Sequence, residues 1–231
     1  MKTLVVSDVH GLSIWKDAMK EVEDDVTVVF LGDYFDLRGK GPFANDQVDN
    51  FLEICDYVKN NPDAKMLIGN HDWQYLPWDE IGCGGRDDRN LPRYRKALMD
   101  NIDLIDMVHI ISETESAKPM IFSHAGVSET FMRIIGKSDP SKMNELWKER
   151  PELFNFRERG SNGSFSNMYG DNAYQSPIWI RPNALADDSL SGYDQCVGHT
   201  VVPHIMTIDG SGGKILLTCT LNDEMVIVDS E

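Results

Sequence analysis

The chain has 231 residues, of which 41% are hydrophobic and 26% charged; 38 acidic against 22 basic residues give a formal net charge of -16. This length and composition are those of one globular domain. So acidic a chain repels a phosphate backbone, which argues against general nucleic-acid binding. Bound cations can still reverse the local field for a small phosphorylated substrate.

Short apolar runs rich in valine and isoleucine recur along the chain and are typical of strands buried on both faces. Between the early runs, apolar residues recur at helical spacing, over 14–22, 48–58 and 91–102. The last forty residues contain one strand-like run after another. The predicted strands are 3–6, 26–31, 65–68, 108–112, 120–123, 195–197, 205–208, 214–220 and 225–228.

These elements predict a single α/β domain over residues 1–231, with sheet at its centre and helices outside. The stretch 137–175 differs, because it holds Pro140, Pro151 and a polar run with little periodicity. We expect it to be an insertion over the domain.

The four cysteines show no C-x-x-C pairing, which favours reduced thiols in a cytoplasmic protein over disulfides. The first six residues are too short for a signal sequence, and no apolar stretch approaches membrane-spanning length. We therefore predict a cytoplasmic protein with no membrane partner.

Five short motifs, each just after an apolar run, bring carboxylates, one amide and four imidazoles to predicted strand ends. In an α/β domain, ligands gather at the carboxyl ends of strands. Oxygen and imidazole donors together suit a pair of divalent first-row metals. We interpret them as a two-metal site for phosphate-ester hydrolysis. The motifs are D-V-H at 8–10, G-D-Y-F-D at 32–36, G-N-H-D at 69–72, S-H-A-G at 123–126 and G-H-T at 198–200.

The segments SDVHG, GDYFDLRG, GNHD, SHAG and VGHT resemble the calcineurin-like metallophosphoesterases. The resemblance is greatest to the phosphoprotein phosphatase branch with its small bacterial and phage members. The W-x-R element at 179–181 is also similar to that branch. The resemblance implies the calcineurin-like metallophosphatase fold, a central β-sandwich flanked by α-helices.

Carried over residue by residue, the resemblance implies two divalent metal ions, with manganese expected and iron, zinc or nickel as alternatives. Asp33 would bridge the two ions, and a hydroxide shared by them would attack phosphorus in line. The implied ligands are Asp8, His10 and Asp33 for the first ion, and Asp33, Asn70, His124 and His199 for the second.

The same resemblance implies that His71 is the general acid and that Asp36 orients it. Arg181, and less directly Arg38, would hold the phosphoryl oxygens. The family pattern places arginine directly after the second aspartate of G-D-x-x-D, but Leu37 stands there and Arg38 follows. One extra residue could direct that guanidinium elsewhere.

The predicted function is a metal-dependent phosphomonoesterase, foremost a serine/threonine phosphoprotein phosphatase acting on a phosphorylated protein or small phosphoester. The alternative is a dinucleoside-polyphosphate hydrolase of the diadenosine tetraphosphatase kind. Many phosphodiesterases of the superfamily carry a second histidine as G-H-x-H, where this chain has Val201. A non-catalytic metal-binding scaffold is the alternative from another class, but such a chain would typically have lost ligands or the acid.

The Gly/Arg segment 82–96 follows the G-N-H loop. Its basic residues are usually a solvated helix face, although they could grip an anionic substrate. Its glycines could form a turn or the hinge of a lid.

Overall fold

A computed structural model describes residues 2–21, 26–36, 44–78, 82–112, 118–155, 170–222 and 224–229. These residues group into two compact units. The first holds the described residues up to Asp106 together with Met225–Asp229, and the second holds those from Met107 to Glu224. One domain over 1–231, with an insertion at 137–175, stays a prediction; residues 156–169 of that stretch lie outside the described part.

The first unit is built on a five-stranded sheet in the order β10-β1-β2-β3-β4. Strands β1 to β4 run parallel, and β10 pairs antiparallel with β1 at one edge. The loops after β1, β2 and β3 therefore leave the same edge of the sheet. The strands are β1 Lys2–Val6, β2 Val26–Phe30, β3 Lys65–Leu67, β4 Ile105–Asp106 and β10 Val226–Asp229.

The helices of this unit are α1 Trp15–Glu21, α2 Ala44–Asn60, α3 Asn70–Trp73 and α4 Leu91–Asp100, with a 3₁₀ turn at Ile102–Leu104. Helix α2 buries Phe51, Ile54 and Val58, which recur at helical spacing, and α4 buries Tyr94 and Leu98. An aromatic cluster forms between α2, α4, the β2 loop and the turn after α3; its members are Tyr34, Phe35, Phe51, Tyr75 and Tyr94.

The second unit contains a five-stranded sheet in the order β5-β6-β7-β9-β8. Strands β6, β7 and β9 are parallel, while β5 and β8 are antiparallel edges. The loops after β6 and β7 thus emerge side by side. The strands are β5 Val108–Ile111, β6 Met120–Ser123, β7 Asp194–Val197, β8 Met206–Asp209 and β9 Lys214–Leu217.

The helices of the second unit are short: α5 Glu129–Ile134, α6 Met143–Glu149 and α7 Pro182–Asp187. Two 3₁₀ turns, Pro140–Lys142 and Pro151–Phe154, flank α6. Ser128 caps α5 by accepting a hydrogen bond from the Phe131 N–H. Aliphatic side chains of α7, β7 and β9 form the core, including Leu185, Val197, Ile215 and Leu217.

The predicted α/β class is confirmed, since the described residues form two sheets and helices. Each predicted strand has a counterpart within a few residues. The helix predicted through residue 102 ends at Asp100, because the chain tightens into a 3₁₀ turn there. None of the four cysteines, all of which lie in the described part of the chain, forms a disulfide. Among the described helices, none has the length and apolar character needed to cross a bilayer.

Candidate active site

The loops after β1 and β2 run beside each other and are joined by backbone hydrogen bonds. The N–H groups of Val9, His10 and Gly11 donate to the carbonyls of Gly32, Asp33 and Tyr34, at 3.2, 2.6 and 2.9 Å. This pairing continues the parallel alignment of β1 and β2 beyond the sheet. The D-V-H and G-D-Y-F-D motifs are thereby held against one another.

Five of the predicted site residues share a left-handed backbone conformation. Among the residues that the structure describes, the non-glycine residues with positive φ are Asp8, His10, Asp33, Asp36 and His199, at 44° to 64°. Each of them was predicted from the sequence to be a site residue. Such conformations cost roughly 1–2 kcal/mol each for residues with a Cβ and cluster at functional sites.

His10 has the protonation pattern of a metal ligand. Its Nδ1 faces the backbone carbonyl oxygens of Phe35, at 3.0 Å, and of Asp36, so Nδ1 carries the proton. Nε2 is then the basic nitrogen; it is buried and makes no hydrogen bond to any residue that the structure describes. It lies 3.7 Å from Oδ2 of Asp33.

That separation fits a shared cation. Two bonds of about 2.1 Å, the usual length for imidazole and carboxylate ligands, span up to about 4.2 Å, so one ion can reach both atoms. A carbonyl that fixes the other ring nitrogen is the usual support of a ligating histidine. The residues of this unit therefore fit a divalent cation.

Two further predicted ligands, Asp8 and Asn70, lie in the same unit. The ligand atoms that Asp8 and Asp33 offer are within 4.8 Å of each other. The Ser7 hydroxyl donates to Oδ2 of Asp8 at 2.5 Å. The amide nitrogen of Asn70 donates to Sγ of Cys83 at 3.4 Å, which directs the amide oxygen, the ligating atom of asparagine, away from that sulfur.

His71 and Asp36 form the predicted pair. Nδ1 of His71 lies 2.9 Å from Oδ2 of Asp36, and the His71 ring packs edge-on against His10, with centroids 5.1 Å apart. Burial lowers the pKa of His71, but the Asp33 carboxylate, followed by Asp36, raises it, to a net value of about 9. Because Nδ1 points to Asp36, Nε2 is the atom available for proton transfer.

The buried Asp72 side chain links the loops after β2 and β3 by hydrogen bonds. It is fully buried and accepts from three backbone N–H groups: Asp33 and Tyr34, both at 2.7 Å, and Gly69 at 3.0 Å. Burial and the nearby Asp33 carboxylate raise the pKa of Asp72, while the three N–H donors oppose that shift. Since all three partners are donors, the geometry suits the ionised carboxylate.

In the second unit, the predicted ligands His124 and His199 are brought together. His124 directly follows β6 and His199 follows β7, its parallel neighbour. Their rings are 5.1 Å apart and both are buried. The N–H of Gly198 donates to the His124 carbonyl at 2.8 Å, which fixes the two loops to each other.

Arg181 immediately precedes α7 and lies near His199 in the second unit. Its guanidinium stacks over the Trp179 ring at 5.6 Å and donates to the Thr200 hydroxyl at 3.0 Å. The Trp179 ring is 5.3 Å from that of His199. The predicted W-x-R element and the G-H-T motif are therefore neighbours in this unit.

Arg38, with Leu37 before it, lies outside the described residues, so its predicted role is a proposal only. Within 82–96, Arg95 donates to the Tyr75 and Leu76 carbonyls and Arg86 pairs with Asp88 at 2.8 Å. Arg89 and Arg93 are exposed. The interpretation as a solvated face thus suits Arg89 and Arg93. Arg95 instead stabilises the backbone that follows α3 by hydrogen bonds to its carbonyls.

Two site residues were missed from the sequence. Gln74 and Tyr75 both donate to the Asp36 carboxylate, Gln74 to Oδ2 and Tyr75 to Oδ1. They lie three and four residues after His71, which is the spacing of one helical face. That spacing was the available signal, but an isolated Gln-Tyr pair in an apolar run is ordinarily core.

Comparison with known proteins agrees with this geometry. Residues 1–203 match the family model described as calcineurin-like phosphoesterase. No curated protein matches the chain. Among solved structures, a mutant cold-active protein tyrosine phosphatase matches 99% of this chain and 75% of its own, with a TM-score of 0.60 and 16% identity. A protein serine/threonine phosphatase from Saccharomyces cerevisiae, with similarity to human phosphatase PP5, matches 95% of this chain and 67% of its own, with a TM-score of 0.47 and 12% identity.

Proposed function

The chain belongs to the calcineurin-like phosphoesterase family and is a metal-dependent phosphoester hydrolase, and we propose that it is a phosphomonoesterase acting on phosphoserine and phosphothreonine in proteins. The monoester preference is supported by Val201, which stands where many phosphodiesterases of the superfamily carry a second histidine and cannot ligate a metal.

The observation that carries the proposal is the arrangement of the first unit's loops. His10 presents a basic nitrogen 3.7 Å from the Asp33 carboxylate, and His71, paired with Asp36, packs against His10. A cation position and a proton donor are thus adjacent. We assign Asp8, His10, Asp33 and Asn70 as metal ligands on this basis. His124 and His199 are added by the family pattern.

Divalent cations, with manganese proposed, supply a nucleophile at neutral pH and offset the phosphate charge when bound. The protein's own residues do the rest. Nε2 of His71 would donate its proton to the leaving oxygen, because Nδ1 is committed to Asp36. Arg181 would contact the phosphoryl oxygens through its planar fork, with Arg38 as a second candidate.

The test is a substrate panel with added manganese: p-nitrophenyl phosphate, its bis-ester, phosphoserine and phosphothreonine peptides, a phosphotyrosine peptide and diadenosine tetraphosphate. We expect the monoesters to be hydrolysed and the phosphoserine and phosphothreonine peptides to give the highest kcat/KM. Preferred cleavage of diadenosine tetraphosphate or of the bis-ester would overturn the substrate assignment.

Two variants connect this activity to the site. His71→Asn should retain its metal while turnover falls roughly 10²–10⁴-fold, the usual value of acid–base help. Loss of metal together with activity would make His71 a ligand instead. His204→Asn is the matched control, because His204 is an exposed histidine outside the motifs and should leave turnover unchanged.

A further inference from the structure

The Asp36 carboxylate is held by more than its histidine partner. Oδ2 accepts from His71 and from the Gln74 side-chain amide, and Oδ1 accepts from the Tyr75 hydroxyl. All three donors come from α3 and the turn after it. The direction of the carboxylate is therefore set by two side chains that have no place in the predicted site.

Gln74 and Tyr75 are themselves fixed by a loop, which we call the cover loop, at residues 83–87. The Cys83 N–H donates to Oε1 of Gln74 at 2.9 Å, and the Asp87 N–H donates to the Tyr75 hydroxyl oxygen at 2.7 Å. Each side chain accepts from the cover loop and donates to Asp36. Two parallel hydrogen-bond paths thus run from the backbone of the loop to the two oxygens of one carboxylate.

Burial makes these hydrogen bonds costly to break. Gln74 and Tyr75 have no exposed surface and Asp36 is 5% exposed, so a broken contact would leave a buried polar group without a partner. Burial and the bond to Asp36 raise the pKa of Tyr75, so its hydroxyl keeps the proton that it donates. Asp36 also has a left-handed backbone, with φ of 64°, a conformation that persists only where the surrounding contacts hold it.

The cover loop also reaches the acid itself. A Cβ built on Gly85 would lie 3.6 Å from Cε1 of His71 and 3.9 Å from Cβ of Asp36. At Gly85 the loop backbone therefore runs beside the imidazole, with room for about one methyl group between them.

We propose that Gln74 and Tyr75 are positioning residues for the acid step: they fix Asp36, and through it the direction of the His71 imidazole, and they link that direction to the cover loop. This inference rests on the proposed function, in which His71 protonates the leaving oxygen. A loosened Asp36 would let the ring turn and would lower the fraction of molecules with Nε2 correctly placed.

Leaving-group dependence separates positioning from a purely structural role. Tyr75→Phe and Gln74→Met remove the donors at nearly constant volume. We expect kcat on phenyl phosphate, whose leaving group needs protonation, to fall about tenfold or more, against less than about threefold on p-nitrophenyl phosphate. Tyr94→Phe is the matched control, since its ring packs 4.8 Å from Tyr75 but it does not bond Asp36. Its leaving-group ratio should stay at the wild-type value.

A double variant tests the route of the effect. If Tyr75 acts through His71, then Tyr75→Phe in the His71→Asn background should slow phenyl phosphate hydrolysis no further. Proton NMR gives a readout independent of turnover. The Nδ1–H resonance of His71, assigned by its absence in His71→Asn, should shift or broaden in Tyr75→Phe and Gln74→Met but not in Tyr94→Phe.

Equal losses on both substrates, or a further loss in the double variant, would overturn the proposal. So would an unchanged Nδ1–H resonance in both donor variants. If the wild-type protein hydrolyses neither phosphoester with metal added, the proposed function fails. The resonance then still decides whether Gln74 and Tyr75 hold the His71–Asp36 pair.

Discussion

Asp72 offers the sharpest test of how the site loops are held. One carboxylate accepts from the N–H groups of Asp33, Tyr34 and Gly69, at 2.7, 2.7 and 3.0 Å. These donors lie in the loops after β2 and β3, and the side chain is fully buried. Asp72→Asn keeps the size of the side chain but replaces one acceptor oxygen with a donor.

The cost follows from the hydrogen bonds. Oδ2 serves the Asp33 and Gly69 N–H groups, so an asparagine oxygen can keep both, while its amide nitrogen faces the Tyr34 N–H. The Tyr34 N–H and the new side-chain amide are then two buried donors without acceptors, and each costs about 1–3 kcal/mol. Relief of repulsion with the Asp33 carboxylate offsets part of this, which leaves about 2–4 kcal/mol.

The assay is thermal unfolding of the metal-free protein by calorimetry. At roughly 2–4 °C per kcal/mol for a chain of this size, Tm should fall by about 5–15 °C. Asp100→Asn is the control, because Asp100 is an exposed aspartate paired with Lys96, and its effect should be within about 0.5 kcal/mol. A fall of less than about 2 °C for Asp72→Asn would show that Asp72 is protonated when folded, and would refute the ionised arrangement.

Three further outcomes are expected. Manganese at about 100 times its Kd should stabilise the protein by about 2.7 kcal/mol, a Tm rise of roughly 5–11 °C in calorimetry that Asp33→Asn should reduce or abolish. Arg181→Ala should lower turnover on the order of 10²–10³-fold and Arg38→Ala distinctly less, with metal content checked; a larger loss at Arg38 would reverse the assignment. Gly32→Ala should lower both Tm and manganese affinity, because Gly32 has φ of 100° and a Cβ there would overlap the backbone nitrogen of Gly69 and lie 2.8 Å from its Cα. An unchanged metal titration would contradict this.

The strands were predictable because their signal is local and strong. Val28, Val29 and Phe30 are fully or almost fully buried, and a run of such residues has few stable arrangements besides a covered strand. The two-residue strand β4 and the short helices α5, α6 and α7 were missed. Such short elements contain too few residues to show a periodic pattern, and tertiary packing stabilises them instead.

The sequence predicted the candidate site residues but not the contacts that hold them in place. His71 and Asp36 were paired from their motifs, and the structure places them 2.9 Å apart. Gln74 and Tyr75 were not recognised, because their function depends on contacts with Asp36 and with the cover loop, more distant in the chain. Such contacts leave no local pattern in one sequence.

The left-handed residues show why these supports are needed. Asp8, His10, Asp33 and Asp36 adopt a backbone conformation that costs roughly 1–2 kcal/mol each, so the loops of the first unit would relax without compensation. Compensation comes from the backbone bonds between the β1 and β2 loops, from the three N–H groups on Asp72 and from the Gln74 and Tyr75 bonds to Asp36. Because the strain and its supports occupy the same few loops, a variant that removes one support should loosen the neighbouring ligands before it unfolds the sheet. On heating Asp72→Asn, we therefore expect metal affinity to be lost at a lower temperature than the temperature at which the secondary structure unfolds.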